Sequence, residues 1–180
     1  MTQNRSPHLL DLSPQDREWL IARGVPSSAM TAPWPILSSR VVFDGLYGFD
    51  FNIEGDQALI FKAEDRGEQA DLIAWDLRTG NIASWHGNTF CLGDLDQIDN
   101  PATYFAGGYL RIHASPLYWL IAGREGIVIL RPNFAYAHLR YCRRLLCDDP
   151  PHAEKVERLL QAPGPTAKIF IADEAELEFV

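Results

Sequence analysis

Two histidine–cysteine pairs hold the side chains best suited to metal or nucleophile chemistry. His138 and Cys142 stand four residues apart, a spacing that puts both on one face of a helix. His86 and Cys91 bracket a short β-prone run. Brought together, two imidazole nitrogens and two thiolates are the donor set of a tetrahedral zinc site. His86, Cys91, His138 and Cys142 are therefore a candidate metal site, with zinc as the cofactor it would take. A cysteine beside a histidine is also the core of a thiol nucleophile, so a small hydrolase is the enzymatic form of this reading. Against it, no CxxC pair is present, and on a helix His138 and Cys142 fall among apolar neighbours, where cysteine commonly serves as packing.

A second group is cationic. The run Phe134–Leu146 predicts a helix over about 133–146. At about 100° per residue, Ala135, His138, Leu139, Tyr141, Cys142, Leu145 and Leu146 share one broad face, while Arg140, Arg143 and Arg144 gather on the opposite one. Three arginines on one face suit an anionic partner: nucleic acid, a phosphate, or an acidic protein. The plainer account is a solvated face whose late cations complement the helix dipole.

A third group is acidic. Asp94, Asp96 and Asp99 cluster in one loop, but the turn glycine and terminal glutamate of a calcium loop are missing. The segment reads as a structural loop anchored by Leu95 and Ile98, able to assist magnesium only if further ligands converge. Trp34, Trp75, Trp85 and Trp119 make the middle of the chain rich in aromatics, which suits core, pocket lining or an interface in a homo-oligomer. No nucleophile-elbow, P-loop, HExxH or kinase motif occurs, so the chain reads as non-catalytic.

Composition bounds these readings. With 24 acidic against 16 basic residues and a formal charge of −8, a general nucleic-acid coating protein is disfavoured, because such affinity comes from neutralising phosphates. A local basic patch on an acidic body remains compatible. Three cysteines, an odd number, suit reduced thiols and a cytoplasmic location. The apolar runs Leu117–Ala122 and Ile127–Leu130 are too short to cross a bilayer, so no membrane role is expected.

The elements that must position these groups are read from punctuation and period. Ser13 and Pro14 start a helix that Gly24 ends near Arg23. Residues 27–39 read as an irregular connection. Short β-prone runs follow at Val41–Phe43, Leu59–Lys62, Leu72–Leu77, Ile82–Trp85 and Thr89–Leu92, with Asp76–Asn81 as a hairpin turn. Leu110–His113, a helix from Pro116 to Ala122, and Ile127–Leu130 form a compact strand–helix–strand unit. A helix capped by Asp149 and a last strand at Lys168–Ala172 close the chain. The expected fold class is α+β: an N-terminal antiparallel β-sheet of hairpins, then a helical C-terminal half holding that strand–helix–strand unit. We expect one domain over 1–180, with 1–12 and 174–180 as flexible ends.

The segment Trp19-Leu-Ile-Ala-Arg-Gly-Val-Pro resembles the helix and Arg-Gly-Ile stretch ahead of Toprim domains in phage and plasmid primases. Leu110-Arg-Ile-His-Ala-Ser-Pro-Leu-Tyr-Trp-Leu with Gly126-Ile-Val-Ile-Leu is similar in outline to the first strand–helix–strand of a Toprim domain. That family has Glu-Gly at the strand end where this chain has His113-Ala114, and Leu117 stands where its next carboxylate falls. Asp94-Leu-Asp96 resembles the family's Asp-x-Asp but precedes the strand. The departures remove the magnesium ligands, so the resemblance implies at most a non-catalytic relative in a mobile-element or replication setting. The expectation is an accessory or binding protein that meets another protein or nucleic acid through Arg140, Arg143 and Arg144.

Overall fold

The computed structural model describes residues 8–45, 47–65 and 68–161. Within them, the first helix, α1 (Pro14–Ala22), follows from its ends. Ser13 Oγ accepts from the Asp16 N–H at 3.1 Å and donates to Asp16 Oδ2 at 2.7 Å, so one of the free donors of the first turn is satisfied. Gly24, at φ +87°, closes the other end in the left-handed conformation. The stretch that reads as irregular contains a short helix, α2 (Ser27–Thr31), and the start of a strand.

The first sheet comprises β1 (Leu10–Asp11), β2 (Leu37–Phe43), β3 (Phe49–Phe51), β4 (Asp56–Asp65), β5 (Glu68–Trp75) and β6 (Ile82–Ser84). Its order is β1-β2-β4-β5-β6 with β3 also on β2, and all its named pairs are antiparallel. The β5–β6 turn shows why this register holds. Asp76 Oδ1 accepts from the N–H groups of Arg78 at 2.8 Å and Thr79 at 3.3 Å, and Oδ2 accepts from Thr79 Oγ1 at 2.7 Å. Gly80 supplies the positive φ, +77°. The period of two is visible in burial: Leu59, Phe61, Ile73 and Trp75 share one face, and Ala58, Ile60, Leu72 and Ala74 the other.

The second half departs from the expected helical C-terminal half. It is built on a mixed sheet of β7 (Cys91–Gly93), β8 (Leu110–His113), β9 (Ile127–Ile129) and β10 (Leu145–Cys147), in the order β10-β8-β9-β7. Around it stand α3 (Asp96–Asp99), α4 (Pro116–Ile121), α5 (Ala135–Leu139) and α6 (Pro150–Leu159). β8 runs parallel to both β9 and β10, whereas β7 is antiparallel to β9. The main correction concerns 133–146. In place of one helix there are a 3-10 turn at Pro132–Phe134, a five-residue α5, and then a strand. Leu145, Leu146 and Cys147 pair with Leu110, Arg111 and Ile112. The open edge of β8 recruits them, and tertiary pairing overrides the helix propensity of this leucine- and arginine-rich stretch. The predicted strand at 168–172, the tail 174–180 and residues 1–7 of the predicted lead-in lie outside the described residues. Leu10 and Asp11 of that lead-in form β1.

Three apolar clusters hold these layers. In the first, α1, α2 and one face of the first sheet meet Leu92, Val128 and Leu130 of the second sheet region together with Trp119 and Leu120 of α4. In the next, the opposite face of the second sheet, with Cys91, Leu110, Ile112 and Ile127, packs on Ala135 and Leu139 of α5 and Val156 of α6. The last lies on the far face of the first sheet and includes Phe49 and Phe51 of β3. Gly126 illustrates the closeness of the second sheet's strands: at φ +84°, a Cβ there would lie 2.5 Å from the Arg111 carbonyl oxygen.

One buried carboxylate ties the loop after β6 to the first sheet. Asp71, 2% exposed, accepts from the N–H groups of Leu72 at 2.8 Å, His86 at 2.9 Å and Asn88 at 2.8 Å. Removing it strands those donors, each at a cost of about 1–3 kcal/mol if it stays dry. Asp71→Ala is expected to lower unfolding free energy in urea by about 3 kcal/mol, and Asp71→Asn, which keeps one acceptor oxygen, by less. Equal stability of all three proteins would show that the carboxylate does not hold this loop.

Candidate functional site

The structure distributes the four proposed zinc ligands among separate packing roles. The His86 ring stacks on Trp85 with centroids 4.1 Å apart. Cys91 is fully buried in β7, where burial, aided by the nearby Asp94, pushes its thiol well above the usual range. The His138 ring lies flat on Phe90, 4.3 Å between centroids and 12° between planes. Cys142 is half-buried beside Tyr104, and burial raises its thiol as well. Thiols so placed resist the deprotonation that metal binding or nucleophilic attack requires. Among the described residues no three His, Cys, Asp or Glu side chains are grouped so as to hold a metal ion.

The arginines keep their exposure but not their helix. Arg140 caps α5, while Arg143 and Arg144 follow in the turn leading to β10. Arg140 lies 4.7 Å from the Tyr141 ring centroid and 5.6 Å from that of Tyr136, within cation–π range. Arg144 Nη1 donates to the Gly107 carbonyl at 2.7 Å, which brings the loop carrying Phe105 beside the arginines. Tyr141 is 80% exposed and Phe105 82%. This corner therefore sets Arg140 against two tyrosine rings and ties Arg144 to the loop that carries the exposed Phe105. The exposed tyrosine was missed as a site residue because, on a continuous helix, it would have faced the core.

A second feature occupies the carboxyl ends of β8 and β10. These are adjacent parallel strands, and the helices that follow them, α4 and α6, pack in different apolar clusters on opposite sides of the sheet. Such a point is where open α/β sheets usually leave a ligand crevice. Here the chain fills it. Asp148 Oδ1 lies 2.7 Å from His113 Nδ1, and Asp148 Oδ2 accepts from the Ala114 N–H at 2.7 Å. His113 Nε2 stands 3.0 Å from the Glu125 carbonyl, so both ring nitrogens are engaged within the chain. His152 completes the group, with Nδ1 3.8 Å from Asp148 Oδ2 and no hydrogen-bond partner for that atom among the described residues. The cluster is a clasp between strand ends. It also answers the Toprim-like outline: where that family places a metal carboxylate, this chain has His113, engaged by its own Asp148.

Two of the cavities among the described residues set polar side chains beside aromatic ones. The larger, about 590 Å³, opens on the first sheet around Leu10, Phe51 and Ile53. Its polar members Ser38, Ser39, Arg40 and Gln57 are already hydrogen-bonded within the chain. The smaller, about 310 Å³, lies where the two sheets meet and is lined by Trp34, Trp119, Lys62, Arg124, Asp94 and Asp96. Lys62 Nζ stands 4.4 Å over the Trp34 ring, and the Arg124 guanidinium 5.4 Å from Trp119. Arg124 Nε donates to the Ala29 carbonyl at 2.6 Å, while its Nη2 is buried without a hydrogen-bond partner among the described residues. Burial pulls the Arg124 guanidinium down to about 10. No helix among the described residues is long and apolar enough to cross a membrane.

The clasp carries a pH dependence. Burial holds His152 below its ordinary value of 6.5; His113 and Lys155 push the same way, and Asp148 and Asp149 oppose without prevailing. A histidine depressed on folding is protonated more readily in the unfolded chain, so its contribution is full above about pH 6.5 and is lost as pH falls below that value. His152→Gln is expected to flatten the stability profile on the acid side of pH 6.5, measured by urea unfolding at a series of pH values; an unchanged slope would count against this assignment. No family model, curated protein or solved structure matches the chain, so the likeness to a Toprim unit has no support beyond its own outline.

Proposed function

We propose that this protein is a non-catalytic accessory or binding protein that engages an anionic partner through the corner carrying Arg140, Arg143 and Arg144. The observation that supports this reading is the interleaving of charge and ring: Arg140 lies against Tyr136 and Tyr141, and Tyr141 and Phe105 are about four-fifths uncovered. Guanidinium groups bind phosphate oxygens, and uncovered rings offer faces on which unpaired bases stack. That combination favours single-stranded nucleic acid over duplex, whose bases are not free to stack. It also favours it over an acidic peptide, which would use the cations and leave the rings idle. The chain as a whole is acidic, with a net charge of −8, which confines binding to this corner. A replication or mobile-element setting would supply such strands.

The test is fluorescence anisotropy with a labelled oligothymidylate at several salt concentrations. Binding should weaken with salt, with a slope near −2 if three phosphates are neutralised, at about −0.7 per phosphate. Reversing Arg140, Arg143 and Arg144 together to glutamate should abolish it. Tyr141→Ala should cost about 1–3 kcal/mol, the usual worth of one stacked base, with little change in salt slope. Binding that ignores both changes would overturn the proposal. Loss on charge reversal but not on Tyr141→Ala, with competition by an acidic peptide, would make the partner a protein.

A further inference from the structure

The cleft between the sheets differs from the arginine corner in being concave, small and lined by both signs of charge. Its volume, about 310 Å³, is at the lower end of the range for small-molecule sites, which suits a compact ligand and excludes a long polymer. Two tryptophans line it, Trp34 from the segment between α2 and β2 and Trp119 from α4. Their rings offer apolar surface, and each already has a cation against it.

The polar lining has two opposite parts. Lys62 and Arg124 are cationic; Asp94 and Asp96 are anionic. Arg124 carries a specific vacancy in its bonding. One guanidinium arm is tied to Ala29 through Nε, and Nη2 is buried with no acceptor among the described residues. Arg124 lines the cleft, and a carboxylate is the acceptor that best matches a guanidinium. Arg124 is also held at φ +68°, a left-handed backbone that non-glycine residues adopt at a cost and that concentrates at functional positions. Of the acidic lining, the Asp94 carboxylate is oriented by its loop, with Oδ1 accepting from the Asp96 N–H at 2.9 Å. Two cations and two carboxylates around one cleft balance each other, so neither a pure anion nor a pure cation is favoured. A ligand that presents both charges satisfies both sets.

We propose that this cleft binds a small zwitterion with a flat apolar body, the chemistry of a free aromatic α-amino acid. Its carboxylate pairs with Arg124 and Lys62, its ammonium with Asp94 and Asp96, and its ring lies against Trp34 and Trp119.

Three probes of equal bulk separate the charges: L-phenylalanine, 3-phenylpropanoate, which lacks the ammonium, and 2-phenylethylamine, which lacks the carboxylate. By isothermal titration calorimetry on the full chain, phenylalanine should bind saturably at one equivalent. Each single-charge probe should bind about tenfold or more weakly, the usual worth of a lost charged hydrogen bond. Arg124→Gln should weaken phenylalanine about tenfold or more while leaving phenylethylamine unchanged. The double variant Asp94→Asn with Asp96→Asn should weaken phenylalanine likewise while leaving phenylpropanoate unchanged. Because Arg124 also holds Ala29, its variant must first show native unfolding behaviour. The two aspartates are exposed, so their variant tests the proposal even if Arg124→Gln fails to fold. Absence of saturable binding by phenylalanine at millimolar concentration overturns the proposal, as does equal affinity for a single-charge probe.

Discussion

The two sheets share one apolar face, and that sharing governs where everything else can sit. Leu59, Phe61, Ile73 and Trp75 present the first sheet's inner face. Leu92, Val128 and Leu130, with Trp119 and Leu120 of α4, present the surface it meets. Neither surface would be stable in water alone, since each large side chain returned to solvent forfeits about 1.5–3 kcal/mol. A chain of rings runs through the contact: Trp19 to Trp75 at 6.2 Å, Trp75 to Phe61 at 6.4 Å, and Phe61 to Trp119 at 6.0 Å. Trp119 is further fixed by its indole N–H, which donates to the Gly126 carbonyl at 3.1 Å. The core is thus anchored at its centre by oriented aromatics, and the edge-to-face contacts of Trp19 with Trp75 and of Phe61 with Trp119 add to the area they bury.

That arrangement leaves chemistry only to the margins. The cleft lined by Lys62, Arg124, Asp94 and Asp96 lies where the shared core ends: Trp119 belongs both to the core and to the cleft wall. The arginine and tyrosine corner lies on the opposite side of the second sheet, beyond α5 and β10. Between them the carboxyl ends of β8 and β10 are closed by the chain's own Asp148. The usual ligand position of an open α/β sheet is therefore occupied, and the exposed polar groups lie elsewhere.

Legibility followed the range of each interaction. Ser13, Pro14 and Gly24 act within one turn of α1, and Asp76, Thr79 and Gly80 within one hairpin, so local rules identified both. The cap at Asp149, whose Oδ1 accepts from the His152 N–H at 2.8 Å, is equally local. The stretch 133–146 was not readable, because its outcome is set by β8, a strand far back in the chain, and its own residues favour helix. β3 escaped for a related reason: Phe49 and Phe51 pack on a strand whose register only the folded sheet defines. The cleft was legible only in fragments. Asp94 and Asp96 stood out as paired carboxylates, and Trp34 and Trp119 as part of an aromatic excess, but Lys62 and Arg124 share no spacing with them. A single arginine at the end of a short helix carries no sequence mark of the pocket that tertiary packing builds around it.

The position of β8 inside its sheet sets an order of assembly. β9 docks on one side of it after a brief crossover, but its other edge waits for β10, and the Asp148 that closes their ends is 35 residues beyond His113. During synthesis, β8 therefore spends an interval with one unpaired edge exposed, ready to pair with any extended strand nearby. Non-local closure of this kind is slow relative to helix and hairpin formation. The kinetic vulnerability of the fold lies in that delayed edge, and the short, arginine-led strand that finally covers it is the segment on which productive folding turns.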